Sequence, residues 1–266
     1  MSRHLVPLAR ACNPACSPAL SAHLERMTDT FDIDGESIAC RHRPGKGPAL
    51  VFLPGYLSDM AGGKATAVFD WAEAHGRECL LLDYSGCGAS SGDFAAGTLS
   101  RWRDEVLALI AAHVASEGVV LIGSSMGGWL MLLVGLALGD RLQALVGVAA
   151  APDFSDWGFD EAQKAKLRSG ETIFEDSHYG YDPVPTHAKF WHDAEANRLL
   201  GAPIALTCPV RLLHGQDDTD VPPATSLRLA AALASRDVQV TLVKGGDHRL
   251  SRASDVDLLL HTLETL

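Results

Sequence analysis

The stretch VVLIGSSMGGWLML, residues 119–132, holds two adjacent serines framed by glycines between two apolar runs. A serine becomes an exposed nucleophile on a sharp strand-to-helix turn, whose strain and crowding call for glycine two residues before it and two after. Gly123 and Gly127 satisfy that spacing for Ser125, whereas Ser124 has Ile122 and Met126 in those places. The run VVLIG before the turn and GGWLMLLVGLAL after it supply the strand and helix that the motif needs, so Ser125 is the candidate nucleophile. Ser124 is a bystander. A hydroxyl attacks poorly until a histidine takes its proton and a carboxylate holds that histidine in the right tautomer, so both partners are expected elsewhere in the chain.

They are expected on loops after late strands, acid before histidine. RLLHGQDDTDVP, 211–222, ends a strand and releases Asp217, Asp218 and Asp220 into a loop. Asp218, three residues after Gly215, is preferred; Asp217 and Asp220 read as solvated carboxylates, with a capping role for the helix after Pro222 open to them. In KGGDHRLS the glycines permit a tight turn that presents His248 as the base. His214 reads as a core histidine at a strand end, and His178, His187 and His192 as surface positions of an inserted segment. The tetrahedral oxyanion needs amide donors, each worth about 3–4 kcal/mol in the transition state. Met126 offers the first, and in LPGYLSD, 53–59, Tyr56 offers the second with Leu57 as the fallback.

Positioning these groups requires a scaffold of strands whose ends converge. From Phe31 onward short β-like runs alternate with helical patterns, which predicts an α/β fold with a mostly parallel sheet flanked by helices. TFDIDG and SIACRHRPG predict an antiparallel hairpin, and PALVFLP (48–54), ECLLLDY (78–84), VVLIG (119–123), LQALVGVAA (142–150), CPVRLLHG (208–215) and DVQVTLVKG (237–245) predict strands. Helices are predicted over 57–76, 99–118, 126–138, 223–234 and 251–265. Residues 152–203, polar and dotted with aromatics, are too long for a plain loop and predict a helical cap over the end of the sheet. The rest of 27–266 reads as one domain.

FLPGYLSDM, LLDYSGCGASSG, GSSMGGWLML, RLLHGQDD followed by VP, and GGDHR occur in this order over about residues 45–260. With them the chain resembles the serine-hydrolase branch of the alpha/beta-hydrolase superfamily and, within it, the abhydrolase domain-containing protein 10 family. The resemblance implies an alpha/beta-hydrolase fold and a mitochondrial palmitoyl-protein thioesterase or acyl-glucuronide esterase activity. It implies Ser125 as nucleophile, Asp218 as acid and His248 as base. The segment 152–203 matches least, and in this family it shapes the acyl and leaving-group pocket. DYSGCGASSG reads as a structural loop at the pocket rim, with Cys87 structural.

The chain has 266 residues, 47% hydrophobic and 21% charged, enough to bury roughly three quarters of its unfolded surface. A net charge of −11 without a Lys/Arg cluster disfavours a nucleic-acid partner. None of the six cysteines (Cys12, Cys16, Cys40, Cys79, Cys87, Cys208) forms a CxxC pair, so they read as free thiols of a reducing compartment, with no metal and no cofactor expected. No apolar run is long enough for a membrane span, and 127–139 reads as a buried helix. Residues 1–26, Arg-bearing and interrupted by prolines, fit a transit peptide or a start assigned upstream of Met27; the second is preferred, with the segment disordered and the protein cytoplasmic. Under the first alternative it is mitochondrial. A secretory signal lacks its apolar stretch.

The expected activity is therefore hydrolysis of a carboxylic ester or thioester through an acyl-serine intermediate, with an apolar acyl group and a small-molecule or S-acylated protein substrate. Perhydrolysis or amide cleavage by the same triad, and a non-catalytic small-molecule receptor on the same fold, are the competing readings. Dehalogenase chemistry is disfavoured, because it needs a carboxylate at position 125.

Overall fold

The computed structural model describes residues 28–176 and 182–266; the expectations for residues 1–26, Cys12, Cys16 and His178 lie outside them. Among the described residues an eight-stranded sheet runs in the order β1-β2-β4-β3-β5-β6-β9-β10. β1 (Asp29–Ile33) and β2 (Glu36–Arg43) form the antiparallel hairpin at one edge. The other six strands are parallel: β3 (Lys46–Leu53), β4 (Arg77–Leu82), β5 (Val119–Ser124), β6 (Leu142–Val148), β9 (Val210–Gly215) and β10 (Val238–Val243).

The alternation of side chains along a strand divides the core into two layers. Ala49, Val51 and Leu53 of β3 face one layer with α2 (Leu99–His113) and α3 (Met126–Leu138). Leu50 and Phe52 face the other with α1 (Gly63–Ala74) and α8 (Ala253–Glu264). The remaining sheet-flanking helix is α7 (Ala224–Ala232). All residues of α3 from Met126 to Gly135 are buried, as expected of an apolar helix under a sheet. No helix among the described residues is long and apolar enough to cross a membrane.

Two helices are shorter than their patterns. The helix expected over 57–76 begins only at Gly63, because residues 55–61 are held in a loop: Ser58 N donates to Gly55 O at 3.1 Å and Met60 N to the Asp83 carboxylate at 2.7 Å. The helix expected to run to 118 stops at His113, where the Glu78 carboxylate takes the amides of Ala115 at 2.9 Å and Ser116 at 2.8 Å. A buried acceptor on another strand outcompetes the next helical turn.

The inserted segment is not purely helical. It contains α4 (Phe154–Trp157), α5 (Glu161–Arg168) and α6 (Ala188–Ala196), but also a two-stranded antiparallel sheet of β7 (Ile173–Glu175) and β8 (Val184–Thr186). Buried Asp153 fastens its two ends: one carboxylate oxygen accepts Leu199 N at 2.8 Å and the other Leu200 N at 2.7 Å. Phe190 and Ala194 of α6 belong to the same buried cluster as α2 and α3.

Candidate active site

Ser125 lies between β5 and α3 with φ 54° and ψ −120°, a conformation that costs a non-glycine residue about 1–3 kcal/mol. The turn is locked from several sides: Ser125 N donates to Val148 O at 2.9 Å, and Ser125 O accepts Gly128 N at 2.8 Å and Ala151 N at 3.0 Å. The two motif glycines are required for contacts of their own. A Cβ on Gly123 would stand 2.3 Å from Gly127 O, and one on Gly127 2.1 Å from Leu53 O. Gly128 is a third such position, where a Cβ would meet that of Ala150 at 2.4 Å. Ser124 ends β5, half-buried, with its backbone paired to Val148.

His248 Nε2 is 3.0 Å from Ser125 Oγ and His248 Nδ1 is 2.8 Å from Asp218 Oδ2. The loops after β9 and β10 meet closely enough to allow this because Gly215 faces Gly246, where a Cβ would lie 2.3 Å from the Gly246 carbonyl. Asp217 N also donates to Gly246 O at 2.8 Å, tying the two loops together. From α1, Lys64 Nζ donates to Arg249 O beside His248; burial, then the Arg249 charge, pull this lysine down to about 8.

Asp218 is buried, and its Oδ1 accepts Asp220 N at 2.9 Å and Val221 N at 2.8 Å. Burial alone pushes its carboxyl up, but hydrogen bonding from His214 and His248, the His248 charge and the Val221 amide outweigh it and hold the group well below the usual carboxylate range. Asp217 is exposed. α7 starts after Pro223, whose side chain offers no cap, and ahead of it the amides of Asp220 and Val221 close onto Asp218.

Two other sequence expectations need amending. His214 is fully buried, as a core histidine should be, yet its Nε2 lies 3.1 Å from Asp218 Oδ2, so it touches the candidate acid. His187 is not surface: half-buried, its Nδ1 pairs with Thr172 Oγ1 at 3.0 Å and its ring meets Phe94 edge-on. His192 is exposed as expected.

The turn carrying Tyr56 passes beside the serine, since a Cβ on Gly55 would lie 3.3 Å from Ser125 Cβ. Leu57 has φ 54°, which completes the turn. The Tyr56 amide donates to no group among the described residues, and the Met126 amide opens a helix, where no intrahelical acceptor exists for it. The Tyr56 side chain was invisible to the sequence reading. Its ring packs on Phe94 and Phe190, both at 5.0 Å, and on Phe154 at 6.2 Å, and its hydroxyl donates to Pro185 O of β8 at 3.0 Å. Burial pushes the ionisation of that hydroxyl well above the usual tyrosine range.

The DYSGCGASSG loop is structural in this geometry. Asp83 accepts Met60 N with one carboxylate oxygen and Ala89 N with the other, and Ser90 Oγ donates to Asp83 O. Cys87 is buried, and burial pushes its thiol up to about 12, which leaves it inert. Among the described residues no group of three or more His, Cys, Asp or Glu is placed to hold a metal ion.

Residues 50–258 match the alpha/beta hydrolase family. The chain belongs to the alpha/beta hydrolase family. Among curated relatives of this hydrolase, the mouse palmitoyl-protein thioesterase ABHD10, mitochondrial, is 40% identical over 236 residues, 86% of this chain and 78% of that protein. The human protein of the same name is 37% identical over 257 residues, 95% of this chain and 82% of that protein. The solved structure of mouse alpha/beta hydrolase domain-containing protein 10 superposes with a TM-score of 0.83 at 36% identity, covering 90% of this chain and 97% of that one. A solved structure of a protein from Agrobacterium vitis S4 superposes with a TM-score of 0.82 at 36% identity, over 90% of this hydrolase and 96% of that chain.

Proposed function

We propose that this alpha/beta hydrolase is a serine hydrolase that cleaves thioesters or esters of apolar acyl groups. The observation that carries the proposal is the continuous hydrogen-bonded path from Ser125 Oγ through His248 to Asp218, at 3.0 and 2.8 Å. In the proposed reaction Ser125 Oγ attacks the acyl carbonyl carbon while its proton passes to His248 Nε2. The carbonyl electron pair moves onto oxygen, where the amides of Met126 and Tyr56 receive it. Collapse expels the thiol or alcohol, which takes the proton from His248, and leaves acyl-Ser125. Water, deprotonated by His248, then attacks the acyl carbon and releases the carboxylic acid and the free serine. Asp218 stays ionised throughout and holds Nδ1–H, which leaves Nε2 free to accept.

The apolar acyl preference rests on the aromatic cluster beside the serine turn, in which Tyr56 meets Phe94 and, from the inserted segment, Phe154 and Phe190, and Trp129 of α3 meets Phe154 at 5.7 Å. The names of the relatives add a palmitoylated protein as the favoured substrate and the mitochondrion as the favoured compartment. The cytoplasmic expectation conflicts with those names and is withdrawn.

Ser125→Ala is expected to fold and to lose roughly 10⁴–10⁶-fold in turnover, the remainder coming from binding and the oxyanion donors. A fluorophosphonate probe is expected to label wild type and not the variant. Turnover of palmitoyl-CoA, an S-palmitoyl peptide and a p-nitrophenyl ester checks the substrate class. Full activity in folded Ser125→Ala overturns the mechanism, and a p-nitrophenyl ester turned over without any thioester overturns the preferred substrate.

A further inference from the structure

The carboxylate of Asp218 is approached by two histidines. His248 comes from the loop after β10, as the proposed reaction needs; the other, His214, comes from β9 and has no part in that reaction as written. His214 is fully buried, with Nε2 2.9 Å from Val221 O and 3.1 Å from Asp218 Oδ2, and Nδ1 2.7 Å from Ser226 Oγ on α7.

These contacts assign the protons. Val221 O and Asp218 Oδ2 are both acceptors, so a lone pair on Nε2 would face two oxygens, and Nε2 must carry hydrogen. In the neutral ring Nδ1 then accepts, and the Ser226 hydroxyl is the donor it meets. The same ring therefore holds the carbonyl of Val221 while the amide of Val221 holds Asp218 Oδ1, so that both sides of the 218–221 turn are fixed.

We propose that His214 is a positioning residue, which fixes the Asp218 carboxylate for His248 through an Nε2–H that the two acceptors Val221 O and Asp218 Oδ2 call for, with the Ser226 hydroxyl as the donor to Nδ1. The assignment deepens the serine-hydrolase reading and rests on it for its effect on rate. Its physical content is twofold. The ring prevents rotation of the carboxylate about its own axis, so Oδ2 stays aimed at His248 Nδ1. Its N–H also draws on the negative charge of Oδ2 and limits how strongly that oxygen favours a protonated His248. Other charges near the pair are Asp217 and Asp220 on the acid loop, Asp247 and Arg249 flanking His248, and Lys64 on Arg249 O. Substitution at 214 leaves all of them in place.

The test compares wild type with His214→Phe, His214→Gln and Ser226→Ala, by pH profiles of kcat/KM on a p-nitrophenyl ester and by ¹⁵N-histidine NMR. The Gln amide nitrogen reaches the place of Nε2, and Phe fills the volume without a donor. In wild type the NMR spectrum is expected to show His214 as a neutral ring with hydrogen on Nε2. His214→Phe is expected to lose about 10–100-fold in kcat with KM little changed, the size seen when outer-shell partners of metal-ligating histidines are removed. Its acid limb moves to higher pH, because an Oδ2 freed of His214 stabilises protonated His248, which cannot accept the Ser125 proton. His214→Gln recovers most of both changes. Ser226→Ala removes only the donor to Nδ1 and is expected to keep the Nε2–H signature, and His214→Gln, which keeps a donor in place of Nε2, covers the case in which His214→Phe fails to fold. A lowered Tm with kcat and acid limb unmoved, or a wild-type ring protonated on Nδ1 alone, overturns the proposal. Absent fluorophosphonate labelling of wild type would instead sink the serine-hydrolase reading, while the tautomer result still decides the placing of His214.

Discussion

Asp83 and Asp218 are both buried carboxylates that accept two backbone amides, and they behave oppositely. For each, burial is the largest influence and favours the neutral acid. Asp218 escapes it because two imidazoles adjoin Oδ2; Asp83 has the Ala89 and Met60 amides and the more modest help of Arg41, and is pushed up to about 6. The folded chain thus binds a proton at Asp83 more tightly than the unfolded chain, so stability falls as pH rises from about 4 to about 6. Asp83→Asn removes this dependence. The stability of wild type relative to the variant is expected to drop by about 2–3 kcal/mol between pH 4 and 7, read from urea midpoints. A difference that stays flat over that range would show that Asp83 does not titrate there. For Asp218 the sign reverses: its lowered carboxyl stabilises the fold at neutral pH and that contribution fades only in strong acid.

At the scale of elements, the elbow depends on how closely α3 approaches the end of β3. Gly127 is the contact point, since a Cβ there would lie 2.1 Å from Leu53 O and 2.5 Å from Pro54 O. These are backbone oxygens of the strand that leads into the Tyr56 turn, so relieving the clash moves the candidate oxyanion donors. Gly127→Ala is expected to lower Tm by several degrees and to abolish fluorophosphonate labelling of Ser125. Gly135 lies two turns along the same helix, where the tightest contact of a Cβ would be a Leu142 methyl at 3.1 Å, with a Leu206 methyl at 3.5 Å. Gly135→Ala is expected to keep labelling, its tighter contact offset by the roughly 1 kcal/mol that alanine gains over glycine in a helix. Equal loss in both variants would mean that helix packing in general, and not the Gly127 approach, sets the elbow. The glycine spacing was legible because the motif is a local pattern. That Gly127 answers to β3, rather than to the serine beside it, was not, because β3 lies more than 70 residues earlier in the chain.

Across the whole molecule, the cap is built as part of the core. Phe190 and Ala194 share the buried cluster of α2 and α3, Trp129 Nε1 donates to Asn197 O at 3.1 Å, and the Asp193 carboxylate accepts Ser100 N at 2.9 Å. Tyr56 adds a further tie through Pro185 O. Cap and sheet are therefore expected to unfold in one transition, with tryptophan fluorescence and far-UV circular dichroism giving coincident urea midpoints. Separate midpoints would show an independently mobile cap. The change in composition over 152–203 suggested an insertion, but the β7–β8 pair was not legible because strands of three residues are too short to show a period.

What the sequence determined by itself was whatever is written in short windows: the apolar parallel strands, the buried α3, the Gly123–Ser125–Gly127 turn, and the placing of Asp218 and His248 on loops after late strands. It also favoured Asp218 among three aspartates of one loop, the one whose carboxylate is found against His248. Only the tertiary structure decided which groups meet across distance. His248 reaches Ser125 over 123 positions of chain, Tyr56 reaches Pro185 over 129, and Gly215 admits Gly246 because neither has a side chain. His214 is the sharpest case. Its burial could be read from an apolar strand, but its contact with Asp218 depends on the turn that follows, on Val221 and on Ser226 of the next helix, and hydrogen-bond partners are chosen by packing rather than by sequence spacing.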